Sequence, residues 1–140
     1  MLASNSVECA MSANALVNVL ALIPLEMRSQ MVELERAVSG ELTTCAQVDK
    51  FIQCSRDRSY SVALVPDSLP THEWWSVWGQ LTTMDPQPSI LVYALSSDFP
   101  MWSGVLETGG FDVIVAPFAE AKLREAITLA AEYFEQRSLE

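Results

Sequence analysis

Few side chains in this sequence are placed to do chemistry. His72 is the one histidine, and it would act as a general base or a zinc ligand only with a partner. No Asp or Cys stands at metal-ligand spacing from it, and no nucleophile is paired with it as acyl transfer requires. Its position predicts the first turn of a helix instead. Cys9, Cys45 and Cys54 are odd in number, lack C-x-x-C spacing and accompany no secretory segment, so they read as reduced, small apolar residues of a cytoplasmic chain. Asp67 ends an apolar run in "VALVPDSLP". Before Ser68 in a turn, its carboxylate is expected to cap local backbone N–H groups. Gly109-Gly110 follows a predicted helix and precedes a predicted strand, the reverse of a phosphate-cradling loop, and reads as a helix stop. Neither G-x-G-x-x-G nor G-x-x-x-x-G-K-[ST] occurs, which removes the usual support for nucleotide binding. These residues predict no enzyme, no metal and no cofactor.

The elements that hold these residues alternate. Strands are predicted at Leu16–Ile23, Glu41–Cys45, Ser61–Val65, Ser89–Leu95 and Phe111–Val115. Helices are predicted at Leu25–Val38, Gln47–Ser55, His72–Thr83, Phe99–Thr108 and Glu120–Gln136. Met27, Met31, Leu34 and Val38 keep a helical period, as do Leu123, Ile127, Ala130 and Phe134. The strands are continuous apolar runs, "VALV", "ILVYAL" and "VIV", as strands covered on both faces should be. Five βα units of this kind imply a doubly wound parallel sheet with helices on both faces. Residues 1–12 are small and polar without a period and read as a flexible tail, leaving one domain over 13–138. "MDPQP" reads as a turn within that domain.

Composition narrows the partners. Eighteen acidic and eight basic residues give a net charge of −10, which repels phosphate backbones and anionic lipid and argues against both as ligands. "ALVNVLALIPL" is about half the length a membrane-spanning helix needs and reads as a buried strand.

In motif order the second half of the chain resembles the receiver domain of two-component response regulators. "VALVPDSLP" is similar to the family's third strand, which ends in an aspartate followed four residues later by proline, in frame at Leu69-Pro70. "ILVYALSSD" resembles the fourth strand, "VLETGGFDVIVAPF" resembles the run A-L-x-x-G-A-x-x-Y-x-x-K-P-F, and "AEAKLREAITLAAEYF" resembles the last helix. The resemblance covers about residues 14–137, and before Ser61 it rests on element order and lengths alone. It implies a flavodoxin-like fold with sheet order 2-1-3-4-5.

Every working position of the family is altered. Its acidic pair after the first strand and its strand-three aspartate hold Mg²⁺ through oxygen ligands. Here the first strand runs through Ala21, Leu22 and Ile23 into Pro24, with no carboxylate before Glu26. By the same resemblance the phosphoacceptor falls on Pro66, with Asp67 one residue late and pointing elsewhere. The switch hydroxyl falls on Ala94 and the family's lysine on Ala116. The four losses together leave no phosphoryl chemistry and imply a degenerate pseudo-receiver. By resemblance, the Ala116–Pro117 bond is expected to be cis.

What remains is surface. Leu129 and Tyr133 form an apolar pair beside the core stripe of the last helix, and Trp102 and Leu106 do the same on the fourth. In receivers, the face of the fourth helix, fifth strand and fifth helix dimerises or meets partners. A symmetric homodimer or a protein complex through these four residues is therefore expected. In "HEWWSVWGQL", Trp74 and Trp78 share a face with Leu81 and read as core. Trp75 points about 100° away and is a rim residue or a contact with something else. Two alternatives stay open: a small-molecule sensor using an apolar cup at Ala21, Pro66, Ala94 and Ala116, and an active receiver phosphorylated on Asp67.

Overall fold

The computed structural model describes residues 17–138. The expected tail and the expected domain start at residue 13 lie outside the described residues, as does Cys9. Five strands, β1 (Asn18–Leu22), β2 (Glu41–Cys45), β3 (Val62–Pro66), β4 (Ser89–Ala94) and β5 (Asp112–Val115), form one parallel sheet in the order β2-β1-β3-β4-β5. Four α-helices lie in the connections between them, α1 (Leu34–Ala37), α2 (Val48–Asp57), α3 (Thr71–Thr82) and α4 (Phe99–Glu107), and a fifth, α5 (Glu120–Ser138), follows β5.

Side-chain alternation divides the central strands between two apolar layers. Val19, Ala21, Val62, Leu64, Leu91 and Tyr93 face a layer completed by Met27, Met31 and Leu34 and, from α5, by Leu123, Ile127 and Ala130. Leu20, Leu22, Ala63, Val65, Ile90 and Val92 face Phe51 of α2, Val77, Trp78 and Leu81 of α3 and Val105 of α4. The unbroken apolar runs of β3 and β4 are thus explained by burial on both sides.

One predicted helix is two. Leu25–Val38 forms a 3₁₀ helix over Leu25–Met31 and then the single turn of α1. Neither Pro24 at the first N-terminus nor Glu33 at the second makes a side-chain capping bond. Met27, Met31 and Leu34 reach the core from either geometry, which is why their spacing did not distinguish them. Val38 leaves the helix in an extended conformation (φ −91°, ψ 120°) and, half-buried, packs against the same apolar layer as Met27, Met31 and Leu34.

The α3 aromatics divide between core and rim. Trp78 is buried and donates its indole N–H to the Thr108 carbonyl at 2.9 Å. Trp74 is half-buried, packs against the same core layer as Trp78 and Leu81 and stacks on Trp78 with ring centroids 5.1 Å apart, whereas Trp75 is exposed. Gly109 and Gly110 end α4. Gly109 has φ +106°, and Gly110 N–H donates to the Val105 carbonyl at 2.8 Å.

Candidate functional site

The carboxyl ends of the strands are built from apolar side chains tied together by backbone bonds. Ile23 N–H donates to the Cys45 carbonyl at 2.8 Å, Asp67 N–H to the Tyr93 carbonyl at 3.0 Å and Ala116 N–H to the Ala94 carbonyl at 2.9 Å. Ala21, Leu22 and Ala94 are fully buried, Pro66 is buried and Ala116 is half-buried. The Ala116–Pro117 peptide is cis, as is Asp85–Pro86.

The hydroxyl of this region belongs to Tyr93, one residue before the position at which the sequence placed an alanine. Its phenol extends from β4 and donates to the Leu22 carbonyl at 2.7 Å. Because β3 lies between β4 and β1, the ring spans β3 on the way. Phe118 packs edge-on against it with centroids 5.6 Å apart. Ala21, Tyr93 and Phe118 share one apolar layer, with Ala116 packed against it. Of the four positions at which an apolar cup was expected, Ala21 and Ala94 have no exposed surface, Pro66 is buried and Ala116 is half-buried. Burial pushes the Tyr93 phenol well above its ordinary range, and the nearby Glu26 and Asp67 charges add to the shift.

Asp67 is exposed and lines a cavity on the α3–α4 side with Trp74, Trp75 and Val92. Partial burial of the carboxyl raises its pKa, opposed by its own backbone N–H. Among the described residues, no group of three or more His, Cys, Asp and Glu side chains gathers as a metal ion would need.

A lysine missed in the sequence also reaches these tips. Lys122, in the first turn of α5, donates its ammonium to the Val115 carbonyl and, at 3.5 Å, to that of Pro117. It thus flanks Ala116 from the following helix. Its place in the first turn after "APF" was the available signal.

On the α4–β5–α5 side, Leu129 (51% exposed), Tyr133 (46%) and Trp102 (39%) are open to solvent. Leu106 is half-buried rather than exposed, and lines a cavity with Phe111 and Tyr133. Two of the side chains are oriented from within the chain. Trp102 donates its indole N–H to Asp112 Oδ1 at 3.3 Å. Tyr133 packs on Phe111 with centroids 5.2 Å apart, and the Arg137 guanidinium lies 5.0 Å over its ring.

Solved structures resemble this arrangement of sheet and helices closely. The signal receiver domain of a Vibrio parahaemolyticus protein superposes with a TM-score of 0.75, at 13% identity, covering 89% of this chain and 97% of its own. A response-regulator receiver domain from Clostridium thermocellum gives 0.72 at 14% identity, covering 86% and 98%. One from Methanospirillum hungatei, CheY-like, gives 0.70 at 13% identity, also covering 86% and 98%. The chain has the receiver fold. No protein-family model matches its sequence, and no curated protein does. At such low identity the likeness is one of architecture, so function rests on the site.

Within the receiver fold, β1 ends in buried apolar residues and β3 ends in Pro66. A proline side chain offers no oxygen to phosphorylate. The hydroxyl at the end of β4 is already bonded to β1, and the ammonium beside β5 to two backbone carbonyls. The arrangement can join the strand tips to one another; it holds no paired carboxylates for a divalent cation at the end of β1.

Proposed function

We propose that this chain is a phosphorylation-independent, receiver-like regulatory domain of two-component type. It is not an enzyme and acts by binding protein, either a partner or a second copy of itself, through the α4–β5–α5 face. The observation that carries this reading is the strand-tip chemistry: Pro66 at the acceptor position, Leu22 buried where an acidic pair would stand, and the Tyr93 hydroxyl committed to the Leu22 carbonyl. A receiver without acceptor or metal ligands retains only its surfaces as a means of transmitting a signal. The net charge of −10 opposes nucleic acid and anionic membrane as alternative ligands. No helix among the described residues is long and apolar enough to cross a membrane.

The face offers Trp102, Leu129 and Tyr133, with Leu106 as partial backing. Burying an exposed Leu or aromatic contributes about 1.5–3 kcal/mol before the entropy of association is subtracted. Internal bonds hold Trp102 and Tyr133 in place, which reduces the ordering cost. Charge repulsion between two copies opposes pairing and is screened by salt, and a two-fold is the commonest closed arrangement for one self-complementary patch.

Sedimentation of the wild type and of Leu129→Glu tests the reading. The wild type is expected to associate at micromolar concentration, more tightly as salt is raised, and Leu129→Glu to remain monomeric. Acetyl phosphate with Mg²⁺ should leave both unchanged. A wild-type monomer at moderate salt contradicts the homodimer, and association that appears only with acetyl phosphate contradicts phosphorylation independence.

A further inference from the structure

Between α3 and α4, beside the strand tips, lies a cavity of about 460 Å³ that protein binding through the α4–β5–α5 face does not use. Trp74 and Trp75 line it, with Val92 from β4 and Met101 and Gly104 from α4, and Asp67 is the single charged residue in its lining. We propose that this cleft binds a small organic cation, an aromatic or alkyl ammonium, with the charge toward Asp67 and the apolar part against the tryptophans.

The wall is rigid where it matters. Trp74 stacks on Trp78, which is itself pinned by its bond to the Thr108 carbonyl. Trp75 adds an aromatic side chain that is 55% exposed and that core packing does not explain. Indole faces attract ammonium groups, most strongly where water is partly excluded. Asp67 takes part in none of the three ion pairs among the described residues, which join Arg36 to Glu33, Arg58 to Glu41 and Arg124 to Glu120. A carboxylate beside two indoles with no basic residue in the lining selects for positive charge over neutral or negative ligands.

Two helices start beside the cleft, and helix starts attract anions. Both already carry a carboxylate. Asp98 caps α4 by accepting the Met101 N–H at 2.9 Å, and Glu73 stands in the first turn of α3. The volume falls within the range of roughly 300–1,000 Å³ usual for small-molecule sites.

Gly104 supplies a clean test, because a Cβ there would meet no heavy atom within 4 Å. Gly104→Leu should fill the cleft without disturbing the helix. The full chain is titrated with benzyltrimethylammonium, benzyl alcohol and benzoate, with binding read by calorimetry and by tryptophan fluorescence. Saturable binding of the cation in the millimolar range or tighter is expected, with benzoate excluded. Gly104→Leu should abolish it, and Asp67→Asn should weaken it about tenfold while leaving benzyl alcohol unaffected. Trp75→Ala, a surface change that keeps the fold, should also weaken it and serves if Gly104→Leu fails to fold. No saturable binding of the cation, equal binding of benzoate, or wild-type affinity in folded Gly104→Leu or in Trp75→Ala would each overturn the proposal. Sedimentation of the ligand-free protein is independent of these outcomes.

Discussion

The Tyr93 hydroxyl donates to the Leu22 carbonyl at 2.7 Å, across 71 positions of chain, and so fastens the tip of β4 to the tip of β1 over the intervening β3. The bond is buried and Tyr93 has no exposed surface. Tyr93→Phe removes the donor and leaves the ring packing in place. The expected cost is about 1–3 kcal/mol, the range for depriving a buried acceptor of its partner. Urea unfolding measures it, and unchanged stability would mean that the hydroxyl contributes nothing net.

Stability is expected to fall in alkali. Burial pushes the Cys45 thiol from its ordinary 9.0 to about 11, reinforced by Cys54, whose sulfur lies 3.6 Å away, and opposed by Lys50. The folded state therefore keeps this proton more tightly than the unfolded chain. The resulting stabilisation is complete below the unfolded value and is lost as pH rises through the folded one. Tyr93, shifted the same way by burial, adds a loss beginning above its ordinary 10.0. Urea midpoints measured from about pH 8 to about pH 11 should decline, and Cys45→Ala should flatten the first part of the decline. A midpoint that rises with pH over this window would contradict the burial of both groups.

Gly110 sits where no side chain fits. A Cβ there would lie 2.5 Å from Val105 Cγ1, 2.8 Å from the Val105 carbonyl oxygen and 3.0 Å from the Trp78 ring. Gly110→Ala should destabilise by about 1–3 kcal/mol, as overpacking does, and should shift the fluorescence of buried Trp78. By contrast, Gly79→Ala meets no heavy atom within 4 Å and should stabilise α3 slightly through helix propensity. Equal effects of the two changes would contradict the packing described around α4's end.

Much of the fold could be read from periodicity, because β3 and β4 are apolar on both faces and α5 repeats its stripe at Leu123, Ile127 and Ala130. The sheet order followed from the resemblance. The split of the first helix was hidden, since Met27, Met31 and Leu34 suit either a 3₁₀ or an α start. At the tips, the absences at Pro66 and Ala116 were visible residue by residue. The contacts that join the tips were not, because the Tyr93–Leu22 bond and the reach of Lys122 depend on side chains crossing between elements distant in sequence. The α3–α4 cavity was legible only as an unexplained excess of tryptophan, since a cleft is set by how two helices diverge and not by either alone.

The central claim is that the strand tips carry out no phosphoryl transfer, and intact-mass measurement after incubation with acetyl phosphate and Mg²⁺ tests it most directly. Pro66 has no nucleophile, and Asp67, one residue beyond β3, faces the α3–α4 cleft without a metal ligand set among the described residues. The mass is predicted to remain that of the unmodified chain. Addition of one phosphoryl group, absent in Asp67→Asn, would contradict the account and make this an active receiver with a displaced acceptor.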